Sequence, residues 1–150
     1  EIYTLSLHDA LPILVVDEEG SPVYSNTFAI PNANGIVKVN LPKDAGLTLG
    51  QEYTWQFALV CDENDRAADA FVQGSFKPVE LTTDLQQKLQ GASPLQQAQL
   101  YADAGIWNET LITVADLRNS NPTEWEQLLD SVGLREISLE PFSSCCSLEN

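Results

Sequence analysis

The sequence predicts an α+β fold: an antiparallel, β-sandwich-like N-terminal half followed by a C-terminal helical subdomain of three to four short helices. Three observations carry this. Up to Leu81, apolar residues recur with period two between turn signals. From Thr82 the apolar period becomes helical. Beyond that point Ser, Thr or Asn is repeatedly followed three residues later by Gln or Glu, and isolated glycines close each segment. Strands grouped ahead of helices imply segregated parts rather than alternating βα units.

In order along the chain, "LVVDEEGSPVYSNTFAI" reads as a strand, an acidic turn with a glycine, and a second strand in which Tyr24, Asn26, Phe28 and Ile30 share a face. "PNANG" is the next turn, and Val37, Val39 and Leu41 alternate as a strand until Pro42. "LTLGQEYTWQFALVC" is the clearest strand, with Tyr53, Trp55, Phe57, Leu59 and Cys61 on one side. "DENDRAADA" reads as a loop and "FVQGSFKPVEL" as a further strand. The spacing of Thr83 with Gln86, Ser93 with Gln96 and Asn121 with Glu124 predicts capped helix starts, and Pro94 and Pro122 stand at first helical positions. Gly91, Gly105 and Gly133 stand at helix ends. Helices are therefore expected near 84–90, 94–104, 107–119 and 122–132, the last with Trp125, Leu128, Leu129 and Val132 on one stripe. "LREISLEPF" is expected to return as a final strand.

The opening "EIYTLSLHDALPI" does not fit this pattern. It has neither turn chemistry nor the basic, apolar and small-residue regions of a secretory signal. One choice of codons for Glu1–Ile13 reproduces the end of a common short-read sequencing adapter, so the stretch is read as a translated artefact and native sequence as starting near Leu14 with its upstream part missing. The expected organisation is then 1–13 adapter-derived, 14–81 β-rich, 82–142 helical and 143–150 a tail, with 14–142 forming one domain. The single histidine, His8, falls in the first segment. From Leu14 onward the chain lacks the imidazole that Ser-His-Asp, Cys-His and His-based zinc sites need.

With 43% hydrophobic residues the chain has enough apolar material for a packed core. Its formal charge is −15, or −13 without Glu1 and Asp9. Such acidity disfavours nucleic acid and anionic membrane, which need clustered Lys and Arg. No apolar run is long enough to span a bilayer, so membrane insertion is not expected.

Three cysteines leave three arrangements open: a bridge from Cys61 to Cys145 or Cys146, three free thiols, or a strained vicinal Cys145–Cys146 bond. No Cys-x-x-Cys spacing is present, so zinc and thioredoxin-like readings are poor. The acidic loop around Asp62, Asn64 and Asp65 offers weak metal candidates; Arg66 stands where a further ligand is needed and no glycine follows, so a solvated turn is preferred. "DEEG" at 17–20 has the same reading. Glu109 and Asp116 lie two helical turns apart, and paired carboxylates flanking a cleft are what glycosidase chemistry requires. Trp107 is the tryptophan open to sugar stacking, because Trp55 and Trp125 fall on core stripes. Glycines are isolated, so no phosphate-cradling loop exists and no cofactor is expected.

Taken together, "VDEEGSPVYSNTFAIP", "GIVKVNLP", "LTLGQEYTWQFALVC", "VQGSF", "LYADAGIWNETL" and "WEQLLDSVGL" resemble the cyanobacterial family known as domain of unknown function 928, over nearly all of Leu14 to Phe142. The resemblance implies a cyanobacterial source, an upstream export signal with an additional aromatic strand, and a periplasmic or extracellular location. It brings no catalytic residues with it. The function expected is that of a non-catalytic exported domain with a protein or cell-surface partner; the alternative is a carboxylate-based hydrolase or a carbohydrate-binding domain. If Glu1–Ile13 forms a strand, it is expected to fill the slot of the family's own strand and to pair poorly.

Overall fold

Asp17 shapes the first hairpin. Its Oδ1 accepts hydrogen bonds from the amides of Glu19 and Ser21 at 3.1 and 2.7 Å, and Gly20 adopts the positive φ that the turn demands. The turn joins β1 (Ala10–Val16) to β2 (Pro22–Ala29). The structure is a computed structural model that describes residues 10–29, 35–60, 64–65, 67 and 69–143. The chain divides into two units: Glu1–Glu80 with Pro141–Asn150, and Leu81–Glu140.

In the first unit β4 (Tyr53–Leu59) and β5 (Ala70–Phe76) complete a four-stranded antiparallel sheet of order β2-β1-β4-β5. β1 is flanked by strands on both sides, and its residues alternate, Ile13 and Val15 buried (Val15 0% exposed) and Leu14 and Val16 half-buried. Val15 faces Tyr24 on one neighbour and Trp55 on the other, and Ile13 faces Asn26 and Phe57. The register with β2 shifts between Val15 and Val16, leaving Val23 as the extra residue of a bulge. Residues 10–13 belong to the stretch expected to be adapter-derived, yet their register with β2 is continuous and Ile13 is buried. Poorer pairing is therefore not found over this part. Residues 1–9, His8 among them, lie outside the described residues.

Tyr53 anchors the other end of the core. Its ring stacks on Phe76 at 5.6 Å, and its hydroxyl accepts from the Thr48 amide at 2.8 Å and donates to Gln51 Oε1 at 3.1 Å. A buried phenol needs such partners. Trp55 and Phe57 meet edge to face at 5.3 Å on the same side of β4. Trp55 lies over Gly74 of β5, where an added Cβ would stand 2.5 Å from Cζ2 of the indole. The ring thus fills the space a β5 side chain would take.

The predicted strand at 36–41 is shorter than its alternation implies. Only β3 (Ile36–Val37) forms, paired in parallel with β6 (Phe142–Ser143). Its partner starts just after Pro141, which has no N–H to extend the ladder. The Ile36 amide donates to the Pro141 carbonyl at 2.8 Å. Gly35 makes this approach possible: its φ is 119°, and a Cβ there would lie 2.3 Å from that same carbonyl oxygen.

The second unit contains α1 (Thr83–Gln90), α2 (Pro94–Asp103), α3 (Trp107–Asp116) and α4 (Pro122–Ser131). An antiparallel sheet followed by four helices makes the fold α+β, as the sequence predicts. Ser93 and Gln96 form the expected capping box at α2. The cap of α1 is Thr82 rather than Thr83, its hydroxyl accepting from the Leu85 amide. Asn121 takes the cap position of α4 without a side-chain cap bond, and its Oδ1 accepts instead from the Ser120 hydroxyl. Gly105 and Gly133, both at positive φ, end α2 and α4. After each, the next amide reaches back to the helix, Ile106 to Tyr101 and Leu134 to Leu129.

Leu89, Ala98, Val114, Ala115, Trp125 and Leu129 make this unit's core. Thr110 is buried among them and donates its hydroxyl to the Ile106 carbonyl at 2.8 Å. Val132, expected on the α4 stripe, sits past the helix end and is exposed. The expected return strand is mostly absent. Arg135–Ile137 is a 3-10 turn, held because Trp125 Nε1 donates to the Ser138 carbonyl at 3.0 Å.

Candidate functional site

β5 reads in sequence as one more apolar strand, but it forms an edge of the sheet. Among the described residues it pairs with β4 alone, in unbroken register from Tyr53↔Phe76 to Leu59↔Ala70. Consecutive strand residues point to opposite faces, so Phe71 and Val72 lie on the two sides of the sheet. They are 57% and 58% exposed. Sheet edges are normally protected by charge, proline, a bulge or short length. The seven residues of β5, "AFVQGSF", carry no charge and no proline, and no shift interrupts their register. Behind them, on the Val72 side, lie the half-buried Trp55 and Phe57.

The other candidates are not gathered in this way. Asp62 lies outside the described residues. Asn64 and Asp65 are exposed, and Asp65 Oδ1 accepts from the Ala67 amide at 3.1 Å, a turn contact. Among the described residues no three His, Cys, Asp or Glu side chains gather closely enough to hold a metal ion. In the "DEEG" turn, Asp17 is committed to the hairpin and Glu18 Oε1 accepts from the Glu52 amide at 3.3 Å. Glu109 and Asp116 are both exposed, at opposite ends of α3 and about 10 Å apart along its axis. Trp107 opens the same helix with 43% of its surface exposed. Trp125 is buried as expected, while Trp55 is half-buried. Cys61, Cys145 and Cys146, and with them any bridge, lie outside the described residues. No described helix is long and apolar enough to cross a membrane.

The profile of one protein family, Domain of Unknown Function (DUF928), matches residues 6–142. The chain belongs to this family. No curated protein and no solved structure matches it. The DUF928 match takes in every described strand up to Phe142 and all four helices, and it also includes residues 6–13 of the opening stretch. The family name carries no reaction or ligand, so the site in this DUF928 chain has to be built from geometry. Phe71, Val72 and Gln73 are the residues that sequence reasoning passed over. Their signal was present in "FVQGSF", an uncharged strand with a central glycine. What was missing was the order of strands, which places it at the edge.

Proposed function

We propose that this DUF928 chain is a non-catalytic, exported domain that acts by binding another protein or a cell surface. The observation that carries the reading is β5: among the described residues it is an edge strand without charge or proline, with apolar side chains exposed on both faces. Strand addition at such an edge gains main-chain hydrogen bonds, and side-chain pockets alternating along it provide selectivity. The separation of Glu109 from Asp116, and their exposure, support the non-catalytic part. Export rests on the family resemblance.

A photo-crosslinking residue placed at Phe71 in the producing cells tests the binding role. Discrete protein adducts are expected there and not from the same residue at the exposed Lys43. Equal labelling from both positions, or glycoside or ester hydrolysis abolished by Glu109→Gln or Asp116→Asn, overturns the reading. Fractionation of those cells tests export, with recovery in the cytosol as the contrary result.

A further inference from the structure

We infer that β5 is completed by β5 of a second copy of this chain, antiparallel and centred on Gln73, joining two sheets edge to edge. This rests on the binding role proposed above and names its partner. A two-fold axis perpendicular to a continuous sheet brings opposite one another only residues that share a face, so the axis must lie midway between the two copies of one residue. Three centres keep most of β5 paired: Val72, Gln73 and Gly74.

Centred on Gln73, the glutamine meets its own copy and every bulky apolar side chain meets a small one. Val72 faces Gly74 of the second copy, Phe71 faces Ser75, and Phe76 faces Ala70. Just beyond the strand the exposed Lys77 comes opposite the half-buried Asp69 of the second copy. Centring on Val72 instead sets valine against valine and Asp69 against Ser75. Centring on Gly74 sets glycine against glycine and Phe71 against Lys77. The Gln73 register also brings Val72 of the second copy to the side of Gly74 that the Trp55 indole covers, extending the Trp55–Phe57 surface.

Electrostatics restrict where such a contact can form. Each copy carries −15, so two copies repel, and the uncharged β5 is a place where approach costs least. A single pair of strands buries less than the roughly 1,600 Å² of a standard interface, so the dimer is reversible and concentration-dependent. Because the net repulsion is screened by salt, association strengthens as ionic strength rises.

Sedimentation equilibrium of the full chain under reducing conditions, which removes any disulfide-linked dimer, tests this. A reversible monomer–dimer equilibrium that tightens with salt is expected. Val72→Lys should raise the dissociation constant at least about tenfold by placing a charge in the apolar row, with the far-UV circular dichroism of the parent. Should it fail to fold, Phe71→Lys on the other face carries the same expectation. Lys77→Glu should weaken the dimer by a factor of about three. Leu139→Lys, in the helical unit and 94% exposed in the parent, should leave it unchanged. A monomer at every concentration, or a dimer indifferent to both β5 lysines, overturns the inference. A monomer that still yields adducts from position 71 overturns self-pairing alone and leaves the binding role standing.

Discussion

In the helical unit the contacts that fix the backbone lie close in sequence: Ser93 and Gln96 cap one helix, and Gly133 closes the helix it follows. In the β unit the corresponding contacts join distant segments, Val15 to Trp55, Trp55 to Gly74 and Gly35 to Pro141. The helical unit satisfies its backbone within each helix and closes its surface with caps. The β unit satisfies its backbone between strands and is left with an edge. That difference is why the proposed binding surface lies on the β unit, because a helix has no outward row of main-chain groups to share.

The comparison can be broken by substitution, most severely in the helical core. Trp125→Ala should cost about 3–5 kcal/mol in a denaturant titration, since it empties a buried site and releases the Ser138 carbonyl. A loss under about 1 kcal/mol would mean that local caps rather than this side chain hold the unit. In the β unit, Gly35→Ala and Gly74→Ala should each cost about 1–3 kcal/mol, the first through strain at positive φ and backbone collision, the second through overpacking against Trp55. Gly91→Ala is the counterpart in the helical unit. Its φ is −97° and no atom lies within 4 Å of the added Cβ, so it should be neutral or stabilise by up to about 1 kcal/mol. A cost at Gly91 equal to that at Gly74 would erase the contrast. The finest test compares two caps. Ser93→Ala should cost about 1 kcal/mol, whereas Asn121→Ala, which removes no cap bond, should cost a few tenths at most.

Legibility in the sequence follows the same division. All four helices were readable because their signals are local, and the errors were correspondingly small: Thr82 for Thr83, and an Asn121 whose side chain turns to Ser120. The strands were readable as strands, since alternation is also local. Their order was not, and so neither was the exposure of Phe71 and Val72. Two misreadings share one cause. "LREISLEPF" alternates like a strand, but Trp125 captures the Ser138 carbonyl and leaves a 3-10 turn. Residues 38–41 alternate too, but among the described residues no strand pairs with them. Of the candidate site residues, Glu109 and Asp116 are on the helix their spacing implied, and nothing local in the sequence could show that both face solvent.

The β3–β6 ladder has a consequence for how the chain is made. Its two strands come from the two separate segments of the β unit, with the whole helical unit between them in sequence. During synthesis the helical unit is finished first, because all its residues leave the ribosome before Phe142 does. The β unit, although it starts earlier, is completed later, when Phe142 emerges and Ile36 gains its partner. Until then its sheet waits on the ribosome with β5 already made and its edge already open.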